Sequence, residues 1–465
     1  MKDFIKFVKS SGIYFVGTVL TKLISFLLLP LYTAYINPAD YGTYDLYTAY
    51  ITFLCSVLFL DIWAGIMRFM YDYTGEGRKK PISCGIVIFT ISSVLYTLIL
   101  CIAVQFMDIE YPFWLFAYGI LMNIQTLVGY IARGYGKNIL YSAAGLIGSV
   151  VTTVFNILLL VYCHMDYSAL FIASCIGYVV NIFIVVIGVK EPKAFTVRNF
   201  DKKLFREMLL FSLPLCLNSV AYWFLTSYNK LVITAALGSE ANGYYAIASR
   251  FGSMVVLFTT CFQMAWQELA YSKSAKENNL GDFYSTAINS YTKCMGCGLL
   301  VLIPVIFVIY PFMVNESYSV GKELVPIYLM GTILSSISSF LGNTFSAIKK
   351  NNLLFLTMLL GSVANVVCIH ILVPLIGIQA SNIALAIGFL LLVISRIVLL
   401  KKSMTLKIDY ASILLMSAAF VGATFVYTKG NLIANIAVLL AAAVLTLYIF
   451  REYVQIGLQK VKGKR

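Results

Sequence analysis

The sequence predicts an all-α protein that crosses a membrane many times, and three observations lead to this fold class. Hydrophobic residues make up 60% of the 465 residues and charged residues only 12%, whereas a soluble domain carries about a quarter charged residues. The apolar residues lie in long runs, and about 20 residues suffice to cross a bilayer as a helix. These runs are continuous, without the alternation that membrane-spanning strands require.

Fourteen apolar segments can be drawn, as two sets of six and a final pair. They span about 11–36, 41–67, 82–107, 112–134, 139–163, 167–189, 208–237, 241–269, 288–313, 321–346, 352–375, 377–400, 409–428 and 431–450. We predict a first lobe at 1–189, a cytoplasmic linker at 190–207, a second lobe at 208–400, and an extra helix pair with a basic tail at 401–465.

The distribution of positive charge predicts the orientation. With the N-terminus inside, 27 of the 34 Lys and Arg fall on inner segments, and only Lys322 and Lys429 fall on outer loops. Cytoplasmic loops carry this excess in membrane proteins. We therefore predict that both termini are cytoplasmic. The same asymmetry accounts for most of the formal charge of +14, so the sequence gives no reason to expect a nucleic-acid partner.

A short stretch near the N-terminus occurs again 201 residues later. At this offset Thr33 matches Thr234, Gly42 matches Gly243, and Tyr44 matches Tyr245. In both copies an apolar segment ends, a polar turn follows, and a segment rich in Gly and Tyr begins. Since the hydropathy around the two copies repeats as well, we interpret the two sets of six as internal repeats. Many transporters are built from two such repeats, and the substrate binds between the two.

Ionisable residues inside apolar segments are the best functional signal, because burying each costs about 2.5–3.5 kcal/mol on insertion scales. The six that we predict to bind substrate in a cationic cavity are Lys22, Lys230, Arg250, Arg68, Arg133 and Arg396. Lys22, Lys230 and Arg250 lie deepest, in the helices that carry the repeat. A cationic cavity formed by them suits a phosphate or pyrophosphate. The acidic residues Asp45 and Asp61 are candidates for gating or ion coupling.

Each of these residues also has a purely structural interpretation. Arg68, Arg133 and Arg396 lie near inner helix ends, where their side chains could reach the cytoplasmic surface. Lys22 could be neutralised by Asp61, which lies at a similar depth. Either Arg250 or Lys230 could pair with Asp45 as an outer gate. Tyr41, Tyr44 and Tyr47 could stack on sugar rings or simply pack.

Several kinds of site are missing from the sequence. Cys294 and Cys297 form one C-x-x-C without a second ligand pair, and His164 and His370 have no ligand cluster nearby. The segment at 129–137 lacks the spacing of a phosphate loop. We therefore predict no metal, no cofactor, no catalytic residue and no enzymatic activity.

Five short motifs resemble the Wzx-type polysaccharide flippases of the multidrug/oligosaccharidyl-lipid/polysaccharide exporter superfamily. They are 27–32 (LLLPLY), 37–44 (NPADYGTY), 238–245 (GSEANGYY), 347–351 (AIKKN) and 374–384 (PLIGIQASNIA). The resemblance extends from residue 7 to about 453. It implies two six-helix lobes around a cationic cavity. It also implies export of an undecaprenyl-pyrophosphate-linked oligosaccharide across the bacterial cytoplasmic membrane, for surface polysaccharide biosynthesis.

Two other functions stay open at this point. A cation-coupled exporter of drugs or metabolites from the same superfamily would use H⁺ or Na⁺ as a counter-ion, and Asp45 and Asp61 keep this alternative alive. A membrane glycosyltransferase or polymerase is the alternative from another class. It would need large outer loops with catalytic groups, and the outer loops here are short.

Overall fold

The computed structural model describes residues 19–190, 197–274, 281–348 and 352–451, and within these ranges the chain forms sixteen α-helices and no strand. The basic N-terminal residues and most of the C-terminal tail therefore lie outside the described ranges. The helices are α1 (Val19–Tyr35), α2 (Pro38–Phe59), α3 (Ile62–Met70), α4 (Lys79–Phe106), α5 (Pro112–Gly134), α6 (Asn138–Ile157), α7 (Ser168–Val189), α8 (Lys202–Thr226), α9 (Tyr228–Leu237), α10 (Ser239–Ser274), α11 (Gly281–Met313), α12 (Ser319–Ala347), α13 (Asn352–Ile376), α14 (Gln379–Lys401), α15 (Tyr410–Lys429) and α16 (Leu432–Ile449).

The chain divides into two compact units, Met1–Gly243 and Tyr244–Arg465. The first unit contains α1 to α9 and the start of α10, and the second contains the rest. The four-part division that we predicted at residues 189, 207 and 400 stays a prediction.

The helices confirm the all-α membrane class. By length and composition, eleven described segments can cross a membrane, and α2 with α3 form a twelfth as a bent pair. The count of fourteen stays a prediction. The two remaining segments are 11–36, which is described only from residue 19, and 241–269, which lies within α10.

Helix α2 begins at a well-formed N-terminal cap. The side chain of Asn37 accepts a hydrogen bond from the backbone N–H of Asp40 at 2.9 Å, which satisfies one of the free donors of the first turn. Pro38 follows at the first helical position, where its missing N–H costs nothing. The polar motif of the repeat therefore starts a helix, as the sequence predicts.

The second predicted segment is not one continuous helix, which corrects our interpretation of 41–67. Leu60 and Asp61 both adopt left-handed backbone conformations, with φ of 53° and 50°. Two such residues end α2, and α3 continues at an angle of 47° to it. The seventh segment differs too, since α8 begins at Lys202, within the predicted linker, and breaks from α9 at Ser227.

In the second unit, the loop before α15 is tied to α11. Asn289 donates to the carbonyl of Lys407 at 2.8 Å and accepts from the backbone N–H of Asp409 at 3.0 Å. Lys293 forms an ion pair with Asp409 at 2.7 Å. The bonds from Lys293 and Ser412 hold the pKa of the Asp409 carboxyl well below its usual range. The final helix pair is thereby anchored to the second unit.

Close glycine crossings recur in corresponding helix pairs of the two units. A Cβ on Gly148 of α6 would lie 3.0 Å from the carbonyl oxygen of Gly177 in α7. A Cβ on Gly361 of α13 would likewise lie 2.9 Å from the carbonyl oxygen of Gly388 in α14. Gly361 follows Gly148 by 213 residues, and Gly388 follows Gly177 by 211. These spacings are ten to twelve residues longer than the offset of 201, and the internal repeat of six helices stays a prediction.

Candidate functional site

Asp45 and Lys230 form a largely buried ion pair inside the first unit. Lys230 Nζ lies 2.9 Å from Asp45 Oδ1, and the two side chains are only 17% and 9% exposed. Asp45 lies in α2, the helix that follows the first polar turn of the repeat, and Lys230 lies in α9, the helix that precedes the second polar turn. This is one of the two pairings that the sequence allowed for Asp45. A charge pair this buried is costly to break by removing one partner.

Asn242 strengthens the same contact. Its side chain is fully buried, and Nδ2 donates to the carbonyl oxygen of Gly42 at 2.8 Å. The same nitrogen lies 3.5 Å from Asp45 Oδ2. Asn242 thus connects the start of α10 with both the backbone and the carboxylate of α2.

The two glycines that match in the repeat face each other in space. A Cβ on Gly42 would lie 1.8 Å from the carbonyl oxygen of Ser239, and a Cβ on Gly243 would lie 2.0 Å from that of Pro38. Pro38 and Ser239 are themselves counterparts at the offset of 201 residues. The starts of α2 and α10 therefore touch backbone to backbone, in a contact that is symmetric with respect to the repeat.

The pairing of Lys22 with Asp61 that the sequence allowed is not present among the described residues. Asp61 Oδ2 instead accepts a hydrogen bond from Ser219 of α8 at 2.5 Å. The helix break at Leu60 and Asp61 explains the difference, because it turns Asp61 away from the direction that a continuous helix would give it. Lys22 lies half-buried on α1.

The three arginines assigned to inner helix ends occupy three different environments. Arg68 is exposed and pairs with Asp72 at 2.7 Å, as expected for a surface residue. Arg133 lies over the rings of Tyr130 and Tyr141, at 4.9 Å and 5.6 Å from their centroids. The ion pair agrees with the structural interpretation of Arg68. Substrate binding by Arg133 stays a prediction.

Arg396 is only 4% exposed, which argues against the idea that its side chain reaches the surface. It donates to the carbonyl and hydroxyl oxygens of Ser338 at 2.6 Å and 2.9 Å and to Thr357 Oγ1 at 3.2 Å. It thereby fastens α14 to α12 and α13. Arg250 lies half-buried in α10 within the second unit. The cavity shared by Lys22, Lys230 and Arg250 stays a prediction.

A family model described as "Polysaccharide biosynthesis protein" matches residues 7–267, more than half of the chain. The chain belongs to this family. The predicted relationship to the polysaccharide flippases of the superfamily is thereby confirmed. No curated protein matches the chain in sequence.

Several solved structures share the fold of this chain. A structure described as "Lipid II flippase MurJ, inward closed conformation" has a TM-score of 0.73 at 15% identity, covering 96% of this chain and 100% of that one. An inward-facing multidrug resistance MATE family transporter of the MOP superfamily has a TM-score of 0.66 at 15% identity, covering 86% and 95%. An outward-facing MATE transporter has a TM-score of 0.58 at 16% identity, covering 90% of this chain and 95% of that one. These similar structures are described as a flippase and as transporters.

Two loops of this family member are joined by reciprocal tyrosine–carboxylate bonds. Tyr111 donates to Asp166, and Tyr167 donates to Glu110. The bond to Asp166 raises the pKa of Tyr111 to about 12.

Within the described ranges, no group of three His, Cys, Asp or Glu side chains is arranged to hold a metal ion.

Sequence reasoning missed part of this site. Asn242 is neutral and was not considered, and the match of Gly42 with Gly243 was used only as a mark of the repeat. The signal that could have identified them is their position, since both follow a polar turn at the start of a repeated helix. Tyr41, proposed as a sugar-stacking residue, is fully buried, and Tyr44 packs on Phe171 with ring centroids 4.8 Å apart.

Proposed function

We propose that this family member is a flippase that moves undecaprenyl-pyrophosphate-linked oligosaccharide units across the bacterial cytoplasmic membrane for surface polysaccharide biosynthesis. It works by alternating access, with both termini in the cytoplasm. Membership of the polysaccharide biosynthesis family supports this proposal, as does the fold shared with a protein described as a lipid II flippase.

The observation that carries the proposal is the contact between the starts of α2 and α10. Under the proposed orientation this end faces the outside. The contact is held by one buried amide, with backbone against backbone at Gly42 and Gly243, and a buried ion pair joins α2 to α9 beside it. Separation of the two helices would open a path outward without unfolding either of them. If α9 moves with α10, the same separation would free Lys230 from Asp45, so that a cation becomes available to a phosphate when the path opens.

The proposed substrate has a pyrophosphate headgroup, which is bound best by cations that are held away from water. Lys22, Lys230 and Arg250 are the residues proposed to receive it, while Arg68, Arg133 and Arg396 have secondary roles. Arg396 acts by holding its helices together rather than by touching the substrate.

Transport of a labelled lipid tests this function. Proteoliposomes carry undecaprenyl pyrophosphate linked to a short fluorescent glycan, and an impermeant glycosidase reports the fraction of glycan on the outer face. The wild-type protein is expected to accelerate transfer. Lys22→Ala, Lys230→Ala and Arg250→Ala are each expected to abolish it, and Lys402→Ala, at an exposed site, is expected to transport normally. Normal transport by all three variants refutes the assignment of the cations.

The second candidate is a cation-coupled exporter, favoured by the fold shared with MATE transporters. This candidate predicts efflux of a cationic dye such as ethidium from the same proteoliposomes, driven by a proton or sodium gradient. Dye efflux without glycan transfer supports the exporter. Glycan transfer without dye efflux supports the flippase.

A further inference from the structure

The segment at 129–137 (GYIARGYGK) lacks the spacing of a phosphate loop, but it carries an arginine that is held between two aromatic rings. Arg133 lies in the last turn of α5. Its guanidinium carbon lies 4.9 Å from the centroid of the Tyr130 ring and 5.6 Å from that of the Tyr141 ring. A guanidinium stacks on aromatic faces, while the N–H groups at its edge match the oxygens of a phosphate. The rings therefore hold Arg133 in a way that suits an anion.

A close contact between α5 and α6 fixes one of these rings. Tyr141 lies in the first turns of α6, and a Cβ on Gly129 would lie only 2.7 Å from its Cε2 atom. Gly129 precedes Arg133 by four residues, so the two lie on the same face of α5. Because position 129 has no side chain, the Tyr141 ring can approach α5 closely enough for the arginine to lie over it.

A second arginine lies at the same end of the first unit. Arg78 precedes α4, and its Nε donates to the carbonyl oxygen of Tyr73 at 3.2 Å. Its guanidinium carbon lies 6.0 Å from the centroid of the Tyr135 ring, and Tyr135 is the residue that ends α5, two positions after Arg133. The two arginines thus belong to one surface. We call it the arginine surface, and it comprises Arg78, Tyr130, Arg133, Tyr135 and Tyr141.

The carboxylates on the loop beside Arg78 already have other partners. Asp72 forms an ion pair with Arg68 at 2.7 Å, and Glu76 forms one with Lys79. Among the residues that the structure describes, no carboxylate forms an ion pair with Arg78. Its positive charge is therefore left for an anion that is not part of the described chain.

An apolar stripe on α6 shows what kind of molecule carries that anion. Ile139, Ile147, Val150 and Val154 are all exposed and follow one another at helical spacing, so they share one face. Such a face on a membrane-spanning helix is expected to contact acyl chains. Tyrosines are enriched where membrane-spanning helices meet the lipid headgroups. The arginine surface therefore lies where a lipid places its phosphate, and under the proposed orientation this is the cytoplasmic leaflet.

We propose that the arginine surface is a binding site for an anionic phospholipid of the bilayer, such as phosphatidylglycerol. Arg133 donates to the phosphate oxygens, and Arg78 supplies a second positive charge. The acyl chains lie along the exposed stripe of α6. The bound lipid belongs to the bilayer and is not the transported molecule, so lipid binding does not rest on the proposed function.

Native mass spectrometry of the purified full-length protein in detergent tests the site, because it resolves the first bound lipid. Phosphatidylglycerol is expected to bind about 30-fold more tightly than phosphatidylcholine, since each arginine near an anionic lipid contributes about 1 kcal/mol. Arg78→Gln and Arg133→Gln should each weaken phosphatidylglycerol binding about fivefold on the same basis. Lys202→Gln removes one charge from an exposed lysine at the start of α8, and it should bind the lipid as the wild type does.

Two further variants keep every charge and separate a built site from general attraction. Arg133→Lys loses the planar fork, and Tyr141→Leu loses one of the rings that hold the arginine. Both should weaken phosphatidylglycerol binding while phosphatidylcholine binding stays the same. The melting temperature of each variant without lipid shows that the protein is folded, and Arg133→Lys serves as the test of Arg133 if Arg133→Gln does not fold.

The proposal is overturned if the two phospholipids bind equally, or if Lys202→Gln weakens binding as much as Arg78→Gln. Wild-type affinity in both Arg133→Lys and Tyr141→Leu would mean that charge alone attracts the lipid. Displacement of phosphatidylglycerol by millimolar inorganic phosphate would identify the ligand as free phosphate. Tighter binding of undecaprenyl phosphate than of phosphatidylglycerol, lost in Arg133→Gln, would identify it as the carrier lipid. Either result rules out a phospholipid of the bilayer at this surface.

Discussion

Substitution of Gly42 by alanine places a methyl group directly in the contact between α2 and α10. The new Cβ would lie 1.8 Å from the carbonyl oxygen of Ser239 and 2.7 Å from the backbone nitrogen of Gly243. A carbon atom normally approaches an oxygen no closer than about 3.3 Å. The obstructing atoms belong to backbone, so no side-chain rotation can relieve the clash. The helices must separate by about 1.5 Å, the difference between that approach limit and the built distance.

This separation has a cost that can be estimated. Overpacking a tight site costs about 1–3 kcal/mol. A shift of that size also stretches the bond from Asn242 to the carbonyl of Gly42, now 2.8 Å, beyond hydrogen-bonding distance. The loss adds about 1 kcal/mol. The closed contact should thus be disfavoured by about 2–4 kcal/mol, which corresponds to about a 30-fold to several-hundred-fold change in its opening equilibrium.

Hydrogen–deuterium exchange measures that opening in the purified protein. Peptides that cover 38–46 and 239–247 are expected to exchange faster in Gly42→Ala by about that factor, while peptides from α13 and α14 do not change. Gly145→Ala and Gly298→Ala are matched controls, because a Cβ at either helical glycine meets nothing within 4 Å. The reasoning is refuted if Gly42→Ala exchanges at wild-type rates in these two peptides.

Three further predictions concern other contacts. Asp45→Asn or Lys230→Met alone leaves a buried charge unpaired and should lower the free energy of unfolding by about 3–5 kcal/mol. The double variant should recover most of this loss, as measured by thermal unfolding. Additive losses in the double variant would contradict the ion pair. Arg396→Ala should lower the melting temperature through the lost charged hydrogen bonds, worth about 1.5–3 kcal/mol each, while glycan transfer persists below that temperature. Loss of transfer in a protein that is still folded would contradict the purely structural role. The depressed pKa of Asp409 stabilises the fold fully above the unfolded value of about 3.9, and this stability is lost as the pH falls below it. Asp409→Asn should therefore melt at a lower temperature at pH 7 but lose less stability than the wild type on acidification. Parallel pH profiles of the two melting temperatures would contradict the prediction.

The sequence determined the helices well because their signals are local. Long apolar runs, the cap at Asn37 and Pro38, and the breaks before Pro112 each predict an element from a few neighbouring residues. The match between the two short stretches was visible for the same reason, because it needs no gap at an offset of 201. The glycine crossings of α6 with α7 and of α13 with α14 are spaced instead by 213 and 211 residues. A single shift cannot represent a repeat with insertions.

The candidate site was predicted less completely because its residues meet only in three dimensions. Lys230 and Asp45 were recognisable as possible partners, since opposite charges within a membrane segment need each other. The helix break at Leu60 was not, because neither Leu60 nor Asp61 is a glycine or proline and nothing local demands a left-handed backbone. That break decides where Asp61 points, so the pairing with Lys22 failed for a reason the local sequence did not contain.

The symmetry of the glycine contact has a consequence for how substitutions combine. Gly42 meets the carbonyl of Ser239, and Gly243 meets the carbonyl of Pro38. Pro38 and Ser239 are counterparts in the repeat, as are the two glycines. One movement, the separation of α2 from α10, relieves both clashes. Once the first methyl group has forced the helices apart, the second finds room at little further cost. Gly42→Ala and Gly243→Ala should therefore have similar individual effects, and the double variant should cost about as much as either one rather than their sum. Additive effects would mean that the two glycines report on separate movements, and the contact could not then open as a single gate.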